Sequence, residues 1–201
     1  MKVDLHIHTS ERSGCAESPA VDMLTAAVRA GLDAVAITDH HRLVPAADLA
    51  VLAARFPQLL LIPGIEITLD EEAEDILVLG LDEPRLARGA WTWPDLRAFA
   101  REHGGLTVLA HPFRYDADIG IDLASQPPDA IEIHSTNIRP AHHAEIRRTA
   151  ARYGLPVVAD SDAHSARSVG RYANRLHEPA PTVLEVLAAI REGRFTPESS
   201  P

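Results

Sequence analysis

The sequence holds one cysteine, Cys15, among 201 residues, so neither an intramolecular disulfide framework nor a multi-cysteine zinc module can be built from it. No run approaches the roughly 18 apolar residues of a membrane span, and the opening Met-Lys-Val-Asp-Leu-His-Ile-His carries charge and histidine where a signal peptide needs its apolar stretch. Basic residues are few. Lys and Arg number 19 against 29 Asp and Glu, a formal charge of −10, which argues against a broad surface for duplex nucleic acid and leaves room for a local anion site. The chain also lacks a Gly-rich phosphate loop of the kind used in NTP-driven chemistry, a 20–50-residue repeat and any low-complexity tract. These absences predict a soluble, cytoplasmic protein with no membrane or duplex partner. One domain is expected over residues 1–195, followed by a frayed tail at 196–201.

What is present is enough apolar material, 46% of residues, for one large core, laid out as short apolar strands alternating with amphipathic helices. Strands are predicted at Lys2–Ile7, Ala34–Thr38, Leu59–Ile67, Ile76–Leu81, Thr107–Ala110, Ala130–Ile133 and Pro156–Ala159. Helices are predicted near Pro19–Ala30, Pro45–Phe56, Trp93–His103, Ala141–Tyr153 and Val183–Glu192, with Gly31, Gly104 and Gly154 placed where a helix must stop before the next strand. Helical crossovers between strands imply a mostly parallel α/β sheet, open or closed. Polar, metal-competent residues recur at the C-terminal ends of nearly all the strands, which favours a (β/α) barrel. An open sheet would gather them at one switch point.

In the first strand the period of two puts Asp4, His6 and His8 on one face and Val3, Leu5 and Ile7 on the other, with the imidazoles pointing inward. Two such histidines can direct nitrogens at one ion, although His-x-His alone is equally compatible with satisfied core histidines. Other strand ends add donors: Asp39 and His40, Glu66, His111, and then Asp160, Asp162 and His164. Seven of the 11 histidines, His6, His8, His40, His41, His111, His134 and His164, sit at or just beyond strand ends. Burying that many carboxylates and imidazoles together is costly without cations. A mixed nitrogen and oxygen shell points to a cluster of two or three divalent ions such as Zn, Mn or Fe.

The ordered set Asp-Leu-His-Ile-His-Thr, Ile-Thr-Asp-His, Gly-Ile-Glu, Ala-His-Pro and Ser-Asp-Ala-His resembles the PHP (polymerase and histidinol phosphatase) family of metal-dependent phosphoesterases, over Met1 to about Asn174. The resemblance implies a distorted seven-stranded (β/α) barrel with up to three metals at the C-terminal face. It implies that His6, His8, Glu66 and Asp162 hold the first metal, that Glu66 bridges to a second bound also by His111, and that His40 and His164 hold a third. Two departures are visible. Where many relatives have a histidine around the fourth strand, this chain offers Asp75, or less suitably Asp82. In the loop after the first strand, where a third-metal ligand is usual, it offers only Glu11, Cys15 and Glu17.

The activity implied is hydrolysis of a small phosphate monoester by a metal-activated water, with Arg114 forking onto phosphate. His40 or His164, when not bound to metal, would give a proton to the leaving oxygen. Arg139 has a similar position to Arg114, and His134, sharing a face with Glu132, either lines the site or caps the core. Trp91 and Trp93 read as packing residues, and His103, His142, His143 and His177 as solvated. The alternatives are a phosphodiesterase or exonuclease acting on nucleotides or nucleic-acid ends, and a non-catalytic metal-binding regulatory module.

Overall fold

The computed structural model describes residues 1–199; the last two positions of the expected tail lie outside them. The strands are β1 (Lys2–Ile7), β2 (Ala34–Ile37), β3 (Leu60–Thr68), β4 (Asp75–Leu79), β5 (Leu106–Leu109), β6 (Ala130–His134), β7 (Val157–Ala159), β8 (Tyr172–Leu176) and β9 (Phe195–Ser199). The helices are α1 (Ala20–Arg29), α2 (Ala46–Arg55), α3 (Trp93–Glu102), α4 (His143–Tyr153) and α5 (Val183–Arg191). Gly154 closes α4 at φ 67°, a left-handed position where a side chain would be strained. At the start of α5, Thr182 and Glu185 form a reciprocal cap.

One sheet runs in the order β7-β6-β5-β4-β3-β2-β1-β8-β9, nine strands where seven were expected. The seven-strand reading survives at the C-terminal end of the barrel. There the chain beyond β7 returns to β1 through a parallel bridge between Ile7 and Ala163, with His8 N donating to Ala163 O at 2.9 Å. At the opposite end β8 is wedged beside β1, pairing antiparallel at Lys2 and Val3. Residues 196–199, expected to fray, instead form most of β9, paired antiparallel with β8 from Tyr172–Ser199 to Leu176–Phe195. A ladder of backbone hydrogen bonds outweighs the weak strand propensity of Phe-Thr-Pro-Glu-Ser.

The sheet is also less parallel than the alternation of elements suggests. β4 runs antiparallel to both β3 and β5. That reversal matters for chemistry, because it brings the start of β4, not its end, to the barrel's C-terminal face. Asp75 is in register with Thr68, while Asp82 is carried to the other end.

Beneath the site lies an apolar plug. A single buried cluster takes residues from each of β1 to β8, among them Val3, Leu5, Ala36, Ile62, Leu77, Val108, Ala130, Val158 and Leu176, and is joined by Val186, Leu187 and Ile190 of α5. A cluster touching every strand occupies the barrel interior. The expected alternation in β1 is corrected here: Val3 and Leu5 belong to this cluster, whereas Ile7 joins Met23 and Leu24 of α1 on the outside. A register shift between Asp4 and Ile7 lets the strand change faces, so aliphatic and then imidazole side chains both point inward. Among the described residues no helix is long and apolar enough to cross a membrane.

Candidate metal centre

Eight side chains converge at the C-terminal end of the barrel: His6, His8, His40, Glu66, Asp75, His111, Asp162 and His164. Their donor atoms fall into overlapping groups, His6 with His8 and Glu66, His6 with His111 and Asp162, Glu66 with Asp75 and His111, and His8 with His40 and His164. All but His40 and His164 are buried, and those two face the mouth. His111 and Asp162 have φ of 26° and 48°, conformations that non-glycine residues adopt at a cost.

Hydrogen bonds to the far ring nitrogens set which nitrogen is free. Glu132 Oε1 accepts from His6 Nδ1 at 2.8 Å, leaving His6 Nε2 as a lone pair. The Ser13 hydroxyl donates to Asp39 at 2.7 Å and lies 3.3 Å from His8 Nδ1, which leaves His8 Nε2 free in the same way. These two free nitrogens stand 3.0 Å apart. Each is 3.3–3.5 Å from Glu66 Oε2 and 3.2–3.4 Å from Asp162 Oδ1. Both of those carboxylate oxygens are buried; Asp162 Oδ1 has no hydrogen-bond partner, and Glu66 Oε2 faces the His40 ring, with Nδ1 at 2.9 Å. A tetrahedral ion with ligands at 2.0–2.1 Å has donor–donor edges of about 3.3–3.4 Å. The set therefore fits a divalent ion in both spacing and chemistry, and the orphaned Asp162 oxygen would otherwise be an uncompensated burial.

Glu66 reaches the second donor group with its other oxygen: Oε1 is 2.9 Å from His111 Nε2, which lies 3.8 Å from Asp75 Oδ2. Asp75 is held by the Thr68 hydroxyl at 2.5 Å and the Tyr115 hydroxyl at 2.8 Å. The rings of His40 and His164 flank His8 at 4.5 and 4.3 Å between centroids.

The electrostatics point the same way. Burial alone would lower the pKa of His6, yet Asp162, Glu132 and Glu66 around it raise it well above the ordinary value. His111 is raised by Glu66 against the same burial, and His40 by its hydrogen bond to Glu66. Burial pushes Glu66 upward, but His6, His111 and His40 hold it well below its usual range. The anionic donors thus draw protons onto His6, His40 and His111 wherever no other cation is supplied, while burial lowers the pKa of His8, and ions binding here would displace those protons.

Other expected residues have different work. Asp39 accepts from Thr9 N, Thr9 Oγ1 and Ser13 Oγ and so anchors the loop after β1. Glu11 caps α1 through Ala20 N. Cys15 is exposed, and Glu17 contributes a backbone contact to His164 O. Asp82 is in none of the donor groups. Asp160 accepts from Leu5 N and Asn174 below the cluster, and Asp4 from Ser161 N and Gly170 N. His41 Nε2 lies 3.4 Å from Thr68 N. His134 does not share the site with Glu132, because a bulge in β6 between them turns it onto Tyr172 and His143. Trp91 and Trp93 are buried in an apolar cluster with Leu96 and Phe99.

Several contributors were not singled out from sequence, Thr68 and Tyr115 on Asp75 among them. Glu132, besides fixing His6, accepts from His111 N at 2.7 Å; its place on an inward face was the available signal. Asn137 donates from Nδ2 to Asp162 Oδ2, and Ser13 ties His8 to Asp39; neither belongs to a spacing pattern.

Comparison with known families and structures now adds to this geometry. The family model described as PHP domain matches residues 4–146, and that described as PHP-associated matches residues 140–195. No curated protein matches. Among solved structures, PsfC from Pseudomonas syringae is similar at 20% identity and TM-score 0.73, covering 99% of this chain and 91% of that one. A two-domain protein from Bacteroides vulgatus containing a predicted PHP-like metal-dependent phosphoesterase has 17% identity and TM-score 0.78, over 99% of this chain and 64% of its own. The lesion-specific endonuclease PfuEndoQ from Pyrococcus furiosus has 18% identity and TM-score 0.70, over 98% of this chain and 57% of its own. These likenesses are to the fold.

Proposed function

Because the chain belongs to the PHP domain family of metal-dependent phosphoesterases, we propose that it hydrolyses a small phosphate monoester, using two to three divalent transition-metal ions (Zn, Mn or Fe). The observation that carries this reading is the pair of buried carboxylate oxygens on Glu66 and Asp162, the latter without a hydrogen-bond partner, both facing the Nε2 atoms of His6 and His8. His6, His8, Glu66 and Asp162 would hold one ion. Glu66, His111 and Asp75 would hold the second, and His40 and His164, beside His8, the third. When bound, such ions make water nucleophilic at neutral pH and clamp the phosphoryl oxygens. Water's oxygen forms the new bond to phosphorus as the bond to the leaving oxygen breaks, and one water proton ends on that oxygen. His40 or His164, half-exposed at the mouth, delivers it whenever the third ion is absent. Phosphodiesters are the second substrate class, supported by the fold shared with a lesion-specific endonuclease.

Two measurements test this. Elemental analysis of protein prepared without chelators is expected to find at least two transition-metal equivalents per chain. Less than one after reconstitution with Mn, Fe or Zn would sink the metal-cluster reading. Phosphate-release assays across monoesters, diesters and cyclic nucleotides, with each metal supplied separately, then assign the class.

Arg114 lies with Nη1 3.3 Å from His111 Nε2 and its guanidinium over the Tyr115 ring at 5.2 Å. We assign it to the phosphate. Losing a charge-assisted hydrogen bond removes about 1.5–3 kcal/mol, roughly 10- to 150-fold in kcat/KM. Arg114→Ala should show that loss with unchanged bound metal, and Arg114→Lys should recover part of it, lacking the planar fork. Full activity of Arg114→Ala on every ester tested would make it a surface residue.

A further inference from the structure

We propose that the substrate carries a second anionic group, a carboxylate or another phosphate on the leaving-group portion, and that Arg139 receives it in a cavity beside the metal centre. This deepens, and rests on, the phosphoesterase reading above. The cavity, of about 540 Å³, is of a size that takes small molecules. Its wall is joined to the site at two points: Arg114 touches His111, and Asn137 donates to Asp162.

The charge of its lining is the unusual feature. Arg114 and Arg139 both line it, and among the described residues no carboxylate does. Four other clefts on the molecule all contain at least one carboxylate, Asp118, Asp129, Asp82 and Asp22 among them. In a chain of net charge −10, two guanidiniums in a cavity free of acids make a local positive well that selects anions. No hydrogen bond or ion pair engages the Arg139 side chain among the described residues, and its exposed position leaves the planar fork available. Arg114, against His111, accounts for the phosphate at the metals. Among the described residues no hydrogen bond or ion pair joins the Arg139 side chain to any of the eight site residues, so it is available as a second, separate cation for a second anion. Phe113 and His142, nearly parallel at 16° and 6.0 Å apart, supply an apolar flank for the body that joins the two anions.

The test uses metal-loaded enzyme with glycerol 3-phosphate, 3-phosphoglycerate and 2,3-bisphosphoglycerate, which share a skeleton and differ in second anions. The parent should favour the last two over the first by about 10- to 150-fold in kcat/KM, the range expected for one charge-assisted contact. Arg139→Ala should bring that ratio toward one and Arg139→Lys should restore part of it. Calorimetric binding of the same three compounds should show the same ratios without turnover. Equal losses on all three compounds, or a ratio untouched by Arg139→Ala, would overturn the proposal. So would a parent that prefers single-stranded oligonucleotide ends and loses that preference in Arg139→Ala. If no compound is hydrolysed, the phosphoesterase reading fails while the calorimetric ratios still decide the anion subsite.

Discussion

Glu66→Gln should lower kcat/KM by roughly three orders of magnitude or more at saturating metal, and lower the metal content by at least one equivalent per chain. Removing a single preorganised electrostatic contact already costs about 10²–10³ in rate, and this carboxylate faces two donor groups at once. Its Oε2 lies 3.3–3.5 Å from Nε2 of His8 and His6, and its Oε1 lies 2.9 Å from Nε2 of His111. Glutamine keeps the size and the backbone of β3 but not the charge that allows two cations to sit close together. The fold should persist, which the circular dichroism spectrum and melting curve would show. The variant's imidazoles should also change. With the Glu66 charge gone, His40 loses the hydrogen bond that raises its pKa, and His111 loses its main opposing charge to burial. In metal-free protein both should therefore hold their protons less firmly than in the parent, a shift that proton NMR titration can follow. Activity within tenfold of the parent would show that Glu66 does not bridge.

Why the site was readable while parts of the frame were not follows from what sequence patterns encode. Donor residues at strand ends are local: His6 and His8 are two apart, and Asp162 and His164 likewise, so their clustering in sequence predicts their clustering in space. Strand direction is not local. Nothing in Ile76–Leu81 tells that β4 runs backwards, and only that reversal explains why Asp75 reaches the centre and Asp82 does not. Bulges are equally invisible. Those in β1 and β6 break the period of two, which moved Leu5 inward and His134 outward against expectation. The supporting layer was missed because its bonds join distant positions: Glu132 and His6 are 126 residues apart. β8 escaped for another reason. Tyr-Ala-Asn-Arg-Leu carries asparagine and arginine at its centre, and the asparagine is there for a purpose that propensity does not describe.

Asn174→Ala should destabilise the protein by about 3–5 kcal/mol, and the reason lies at the seam where the barrel closes. β7 has β6 on one side, but its other side faces β8 across a gap where no strand ladder joins them among the described residues. The Asn174 side chain, fully buried, fills the place of that ladder. Its Oδ1 accepts from Ala159 N at 2.9 Å, and its Nδ2 donates to Ala159 O at 3.0 Å and Asp160 Oδ1 at 2.9 Å. One amide thus satisfies both backbone groups of a strand residue and one buried acid, as a neighbouring strand would. Alanine would strand both backbone groups of Ala159 and leave Asp160 Oδ1 with Leu5 N alone. Each unpaired buried polar group costs about 1–3 kcal/mol, partly offset by relaxation, and the sum is a large share of the 5–15 kcal/mol typical of a domain. For a chain of this length the melting temperature should drop by roughly 6–20 °C. Asn174→Asp keeps the acceptor but loses the donor and sets a second carboxylate against Asp160, whose burial beside Glu132 and Asp4 already raises its pKa well above normal. That variant should therefore be at least as unstable as the alanine variant near neutral pH and recover as the pH falls and one of the two acids takes a proton. Urea unfolding of the parent and both variants, at pH 5 and pH 8 with metal held constant, measures this. A loss below 1 kcal/mol in Asn174→Ala would mean that water replaces the amide and that the seam is closed by the Ile7–Ala163 bridge alone.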